Sequence, residues 1–225
     1  MVLTDDDRAR VAAAVTAAEA TTDAEVAVIA APRSDEYRDA ALHWVVLAML
    51  LMIAAQAFAP DHFAALLDVL PGADRWGEGV PVADLLALAA ALAALMFLAG
   101  QAVFRTAAMR VAAAPHTTRA RRVRRRAILL FRTGIEARTA TRTGVLLYLS
   151  IAERRAEIVA DAAVTRLVPP EAWGEAMVAL TAELKAGRAG DGLVAAIGRI
   201  GAVLATHFPH TGTDPNELPD RLIEL

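Results

Sequence analysis

Apolar and polar positions change period along the chain, and each change marks an element. Thr4, followed three residues later by Asp7, has the form of a capping box at a helix start. Val11, Ala14, Val15 and Ala18 then give one apolar stripe of a helix that ends near Thr21. Glu25–Ala30 is short, rich in β-branched residues and bounded by polar residues and Pro32, so it reads as a buried strand. Two long apolar blocks follow. Leu42–Ala59 has no charged residue and carries Trp44 near one end, while Val82–Phe104 has a single charge, Asp84. At about 1.5 Å per residue, each can cross roughly 30 Å of hydrocarbon. Buried helices of a soluble bundle would keep a polar face, and these blocks show none. The connector Pro60–Pro81 places Phe63, Leu66, Leu67 and Leu70 at helical spacing, with Trp76 nearby. It fits either a short amphipathic turn at the interface or a hairpin loop.

Beyond the second block a long helical stretch covers about 105–140, with a break expected at Pro115. Gly144–Ile151 is a strand-like apolar run, Ala152-Glu-Arg-Arg a polar turn, and Ala156–Asp161 an alternating second strand, together a hairpin. Glu153, Arg154 and Arg155 read as exposed turn charges. Pro169-Pro170-Glu171 opens a helix running through Ala186. Asp191-Gly192 opens another, with Leu193, Ile197, Ile200, Leu204 and Phe208 as its core stripe. The tail His210–Leu225, with Pro215 and Pro219, is expected to wrap the surface. A lone hairpin is marginal in water, so Glu25–Ala30 should share its sheet. That requires both to lie on one side of the membrane, which an even number of spans allows.

Charge adds a direction. The formal net charge of −3 hides an acidic segment over 1–40 and an arginine-rich one over 105–142, in which Glu136 is the single acid. The connector carries only Arg75, whereas Arg33 and Arg38 precede the first span and Arg105 and Arg110 follow the second. Arginine excess marks the cytoplasmic side, so both termini are expected there. The start, Met1-Val-Leu-Thr-Asp-Asp-Asp, lacks the basic region of a signal peptide. Cysteine is absent, which excludes disulfides, thiolate metal sites and cysteine nucleophiles. The chain is 56% hydrophobic with a mean hydropathy of +0.41, an excess that the two blocks explain. Abundant alanine, with lysine only at Lys185, is the bias of a GC-rich bacterial genome, so the membrane that the two blocks are expected to cross is a bacterial inner membrane.

The run Thr143-Gly-Val-Leu-Leu-Tyr-Leu-Ser-Ile-Ala-Glu-Arg-Arg-Ala-Glu-Ile-Val-Ala-Asp161 resembles the central hairpin of the TPM domain family. Leu184-Lys-Ala-Gly-Arg, Gly190-Asp-Gly-Leu, His207-Phe-Pro and Asn216-Glu-Leu-Pro-Asp-Arg-Leu are similar to a bacterial membrane-anchored branch of it. Asp23-Ala24 stand where the family commonly has a small pair before Glu25. The resemblance implies a three-layer α/β/α sandwich, with a two-helix transmembrane hairpin inserted after the first strand. Residues 1–40 and 105–209 would form the TPM-like domain, 41–104 the hairpin and 210–225 a tail. It also implies a choice of roles, since some family members resemble acid phosphatases in activity, some bind calcium and some assist membrane-complex repair or assembly.

The candidate chemistry is sparse. Asp161, at the end of a strand, is either a helix-capping aspartate or a ligand at a sheet edge. Asp35 and Asp39, with Glu36, follow the first strand as a solvated acidic link. Alternatively, Asp35 or Asp39 could join Asp161 around an oxygen-only site, for which Ca2+ is the best-suited ion. His43, His62, His116, His207 and His210 have no metal-ligand spacing, and no nucleophile elbow, phosphate loop or dinucleotide fingerprint is present. The run Arg119–Arg126 fits anionic headgroups of the bilayer or enforcement of topology better than nucleic acid, for which no groove-reading motif is present. The expected function is a membrane-anchored module that binds a membrane or cytoplasmic protein. The alternative is a phosphatase-type hydrolase with a carboxylate-bound divalent ion.

Overall fold

The computed structural model describes residues 3–68, 81–136, 143–211 and 218–225. The connector positions Leu70, Arg75 and Trp76, the arginines at 138 and 142, and the Asn216-Glu217 start of the tail motif lie outside the described residues. The chain divides into two compact units, Met1–Asp35 with His116–Leu225, and Glu36–Pro115.

The first unit is a mixed α/β fold around a four-stranded sheet. Its helix α1 (Asp5–Glu19) starts as the capping pattern requires. Thr4 Oγ1 accepts from the Asp7 amide at 3.1 Å, and the Asp7 carboxylate accepts from the Thr4 amide at 3.0 Å. These bonds to Thr4 hold the Asp7 carboxyl below its ordinary value. The strands are β1 (Val26–Ala31), β2 (Val145–Ser150), β3 (Arg155–Ala160) and β4 (Leu222–Glu224), in the order β3-β2-β1-β4. β1 and β2 run parallel, from Val26↔Val145 to Ala31↔Ser150, and β2 and β3 form an antiparallel hairpin. The expected sharing of one sheet by these three segments is therefore observed.

The two central strands are covered on both faces, which is why they read as continuous apolar runs. Val26, Val28, Ala30, Val145, Leu147 and Leu149 face one core with Val11 and Val15 of α1. The same core receives α8 (Gly174–Lys185), through Leu180 and Leu184, and α9 (Ala189–His207), through Leu193, Ile197, Ile200 and Leu204. The alternate residues Ala27, Ile29, Leu146 and Tyr148 meet Val123, Ala127 and Phe131 of α6 (His116–Gly134). A short helix α7 (Ala162–Leu167) follows β3, and a 3-10 turn, Pro170–Trp173, precedes α8.

The tail departs from expectation. Leu222–Glu224 does not merely wrap the surface but pairs parallel to β1, with Val28↔Leu222 and Ala30↔Glu224. Arg8 of α1 holds Glu224 through two bonds, at 3.2 and 3.0 Å. Three residues are too few for a strand signal. β1 instead supplies a row of free ladder groups that any adjacent extended segment can satisfy.

The second unit is helical: α2 (Arg38–Phe58), α3 (Pro60–Asp68), α4 (Val82–Val103) and α5 (Ala107–Ala113). α3 shows that the connector begins as a helix. α5 ends just before Pro115, the expected break in the 105–140 stretch, and α6 starts after it. α2 and α4 pack antiparallel. A Cβ on Gly100 would collide with Val45 near one end of the pair, and Gln56 Nε2 donates to the Leu85 carbonyl at 2.8 Å near the other. Arg110 closes the arginine-bearing end, bonding the Phe104 and Arg105 carbonyls at 3.0 Å and the Glu36 carboxylate at 3.0 Å. Trp44 Nε1 donates to the Ala113 carbonyl at 2.9 Å.

Among the described residues, three helices are long and apolar enough to cross a membrane: α2, α4 and α9, with mean hydropathies of 2.0, 2.4 and 1.3. Their surroundings separate them. Half of the α9 window is buried in the first unit's core, against 17% for α2 and none for α4. Leu50, Leu51, Leu86, Leu95 and Leu98 are all more than half exposed.

Candidate functional site

At the carboxyl end of the parallel pair β1/β2, where α/β sheets commonly bind ligands, polar side chains gather. Ser34, just past β1, shares a hydrogen bond with the Tyr148 hydroxyl at 3.0 Å and donates to Ser150 Oγ at 2.8 Å. Ser150 donates to Glu153 Oε2 at 2.6 Å, and the Ser34 amide donates to Glu153 Oε1 at 2.9 Å. Glu153 is thus not an exposed turn charge but 5% exposed. The hairpin turn, with Arg154 at φ 50, folds the carboxylate under the strand end while Arg154 stays outside. Burial pushes the Tyr148 phenol up. Ser150 and its carboxylate partner resemble an activated nucleophile, yet Ser150 is fully buried, so no substrate atom reaches its Oγ. The network orders the strand ends.

The basic helix α6 lies on the adjacent sheet face. Its arginines fall into two groups because helical spacing divides them. Arg119, Arg122 and Arg126 are half-buried, whereas Arg121, Arg124 and Arg125 are exposed. Arg122 bonds Asp35 at 2.7 Å, Arg124 lies 3.6 Å from Glu157, and Arg119 keeps its Nε shut off from solvent with no partner among the described residues. His116 meets Arg155 at the hairpin turn. Burial raises the Glu157 carboxyl above its ordinary value, and the nearby arginines oppose this.

The expected carboxylate site does not assemble. The Asp161 amide bonds the Gly144 carbonyl at 2.9 Å, beside the Val26↔Val145 start of the parallel pair. Asp35 lies beyond its other end, after Ala31. Six-residue strands separate them, about 17 Å at the rise of a strand. Asp35 is instead neutralised by Arg122, Asp161 stands buried at the head of α7, and Asp39 sits in the first turn of α2 in the other unit. Both Asp35 and Asp161 are next to strand ends in sequence, but an antiparallel return puts the end of β3 at the start of β1. Among the described residues no group of three histidines or acids could hold a metal ion.

A different carboxyl cluster occurs near the start of β1. Glu19 accepts from the Val26 amide at 2.8 Å, and Glu25 accepts from the Leu218 amide at 3.2 Å. Thr16 donates to Asp220 at 3.0 Å. Burial pushes the Glu19 carboxyl up to about 8, reinforced by the neighbouring Asp220 and Glu25 charges. Sequence reading missed this cluster because Glu19 has the position of an ordinary helix-end acid, and the tail that brings Leu218 and Asp220 to it is about 200 residues away in the chain.

Residues 104–203 match the family model of the TPM domain. The chain carries a TPM domain. The match takes in α5, α6, the β2–β3 hairpin, α7, α8 and most of α9, and so includes the TPM hairpin with its buried Ser150–Glu153 pair. Among solved structures, the BA42 protein of the psychrophilic bacterium Bizionia argentinensis, determined by NMR, shares the fold. It is similar over 100% of this chain and 97% of its own, with a TM-score of 0.56 and 16% identity. No curated protein gives a significant sequence match.

Proposed function

We propose that this chain is a multi-pass protein of a bacterial inner membrane. In this reading α2 and α4 form a transmembrane hairpin inserted after β1 of a three-layer α/β/α sandwich, with both termini cytoplasmic. The TPM domain acts as an interaction and assembly module on the cytoplasmic face. The observation that carries the reading is the exposure of α4, whose most apolar window has no buried residue. Water does not tolerate so large an exposed apolar surface, whereas hydrocarbon requires it. The exposed Arg121 and Arg125 suit anionic headgroups or an acidic protein surface. The hydrolase alternative has no support of comparable weight, because the carboxylates it needs lie at opposite ends of the sheet.

Membranes from cells producing the full chain test this directly. The chain should stay in the pellet after alkaline carbonate and leave it only with detergent. Release by carbonate alone would overturn the membrane reading. Turnover of a phosphomonoester by the purified chain, abolished in Asp161→Asn, would replace the module by the hydrolase.

A further inference from the structure

The arginine-bearing end of the α2/α4 pair holds a cleft of about 430 Å3, within the size range of small-ligand sites. Arg38, Arg105 and Arg110 line it on the polar side, and Leu42, Val45 and Gly100 on the apolar side. The three arginines are not equivalent. Arg110 is spent on the Glu36 carboxylate and on the carbonyls at the end of α4, so it offsets the negative end of that helix. Arg38 and Arg105 are exposed and have no ion pair or hydrogen bond among the described residues. Two free guanidiniums beside an apolar groove call for a ligand with an anionic oxygen group and a hydrocarbon body. Guanidinium is suited to a phosphate, whose oxygens it can engage in pairs. Gly100 lets α4 approach Val45 closely, and Leu42, Val46, Phe97 and Leu98 leave apolar surface exposed on the same helices.

We infer that this cleft binds one anionic phospholipid, its phosphodiester between Arg38 and Arg105 and its acyl chains along the exposed apolar surface of α2 and α4. The inference rests on the membrane reading above. It differs from a general basic surface in predicting one lipid at one place. The full chain in neutral detergent, titrated with phosphatidylglycerol or phosphatidylcholine and followed by native mass spectrometry, tests it. One phosphatidylglycerol should bind at least about tenfold more tightly than phosphatidylcholine, since near a membrane each arginine contributes about fivefold. Arg38→Gln with Arg105→Gln should weaken phosphatidylglycerol about twenty- to thirtyfold, and phosphatidylcholine, whose phosphodiester is offset by its own ammonium, by several-fold less. Arg166→Gln with Arg199→Gln, an equal loss of charge on exposed arginines of the first unit, should change neither. Leu42→Trp, which fills the cleft without altering charge, should also weaken binding and guards against misfolding of the charge variant. No preference for phosphatidylglycerol, or the same preference in the Arg38/Arg105 variant, overturns the site. Full displacement by inorganic phosphate would reassign the cleft to a free anion and also overturns the lipid assignment. Carbonate extraction of the membranes from which the chain is solubilised separates these failures from failure of the membrane reading.

Discussion

At the scale of single residues, two acids that look alike in the sequence behave differently because the fold buries them differently. Glu153 is buried with its acceptors filled by Ser150 and the Ser34 amide. Glu153→Ala should leave those donors unsatisfied and cost about 2–3 kcal/mol. A fall of several degrees in the melting temperature of the full chain in detergent would register it. Glu19 is the opposite case. Its folded-state value of about 8 stands above the ordinary 4.5, so the folded chain holds a proton that the unfolded chain has released. Stability is therefore fully present below about pH 4.5 and declines until about pH 8, where both states are ionised. Glu19→Gln keeps an acceptor for the Val26 amide and removes this loss. At pH 8 it should stabilise the chain by on the order of 1–2 kcal/mol, less than the full shift because water partly reaches the side chain. At pH 4 the effect should be small. Melting curves at pH 4 and pH 8 check it, and a stabilisation that is equal at both pH values would refute the burial account.

At the scale of elements, the short strand β4 and the long pair α2/α4 hold together by different means. β4 has three residues, so side-chain anchors must supplement its ladder. Arg8→Ala removes the clamp on Glu224, and the amides of 222–225 should then exchange with deuterium roughly tenfold faster, about what one charge-assisted hydrogen bond contributes. The rest of the sheet should be unaffected. In α2, Gln56 is a polar residue turned toward a helix partner, where its amide bonds the Leu85 carbonyl. Gln56→Leu should weaken the pair by only about 0.5–1 kcal/mol, because lipid-facing alternatives for an amide are few but packing dominates. Steric-trap or force measurements of hairpin separation would show the difference. The elements themselves were readable wherever periodicity was sustained. The capping box, both apolar blocks, the Pro115 break and the β-hairpin all follow from local spacing. α7 was not, because six residues after a strand carry too little pattern to distinguish a helix from a turn.

At the scale of the whole molecule, the arginine asymmetry sets the prediction. Fusions of paired reporters after Gly72 and after Leu225 should show export at Gly72 and cytoplasmic activity at Leu225. An exported reporter at Leu225 would remove the proposed topology, and with it the cytoplasmic module. Gene fusions in a bacterial host give the answer without purification.

Local rules reached far in this chain because hydrocarbon-length helices, caps and β-branched runs are decided by residues a few positions apart. The sequence alone therefore determined the two apolar helices, the strands β1 to β3 and the TPM hairpin. It also determined where the arginines cluster. What required the tertiary structure was adjacency between segments far apart in the chain. The parallel pairing of β1 with β2 sends Asp35 and Asp161 to opposite ends of the sheet. The return of the tail to β1 brings Asp220 beside the half-buried Glu19, and the fold of the hairpin turn hides Glu153. Half-burial of α9 likewise distinguishes a core helix from α4, though both are apolar enough to span. Register and burial are sums over distant contacts, and no local spacing encodes them.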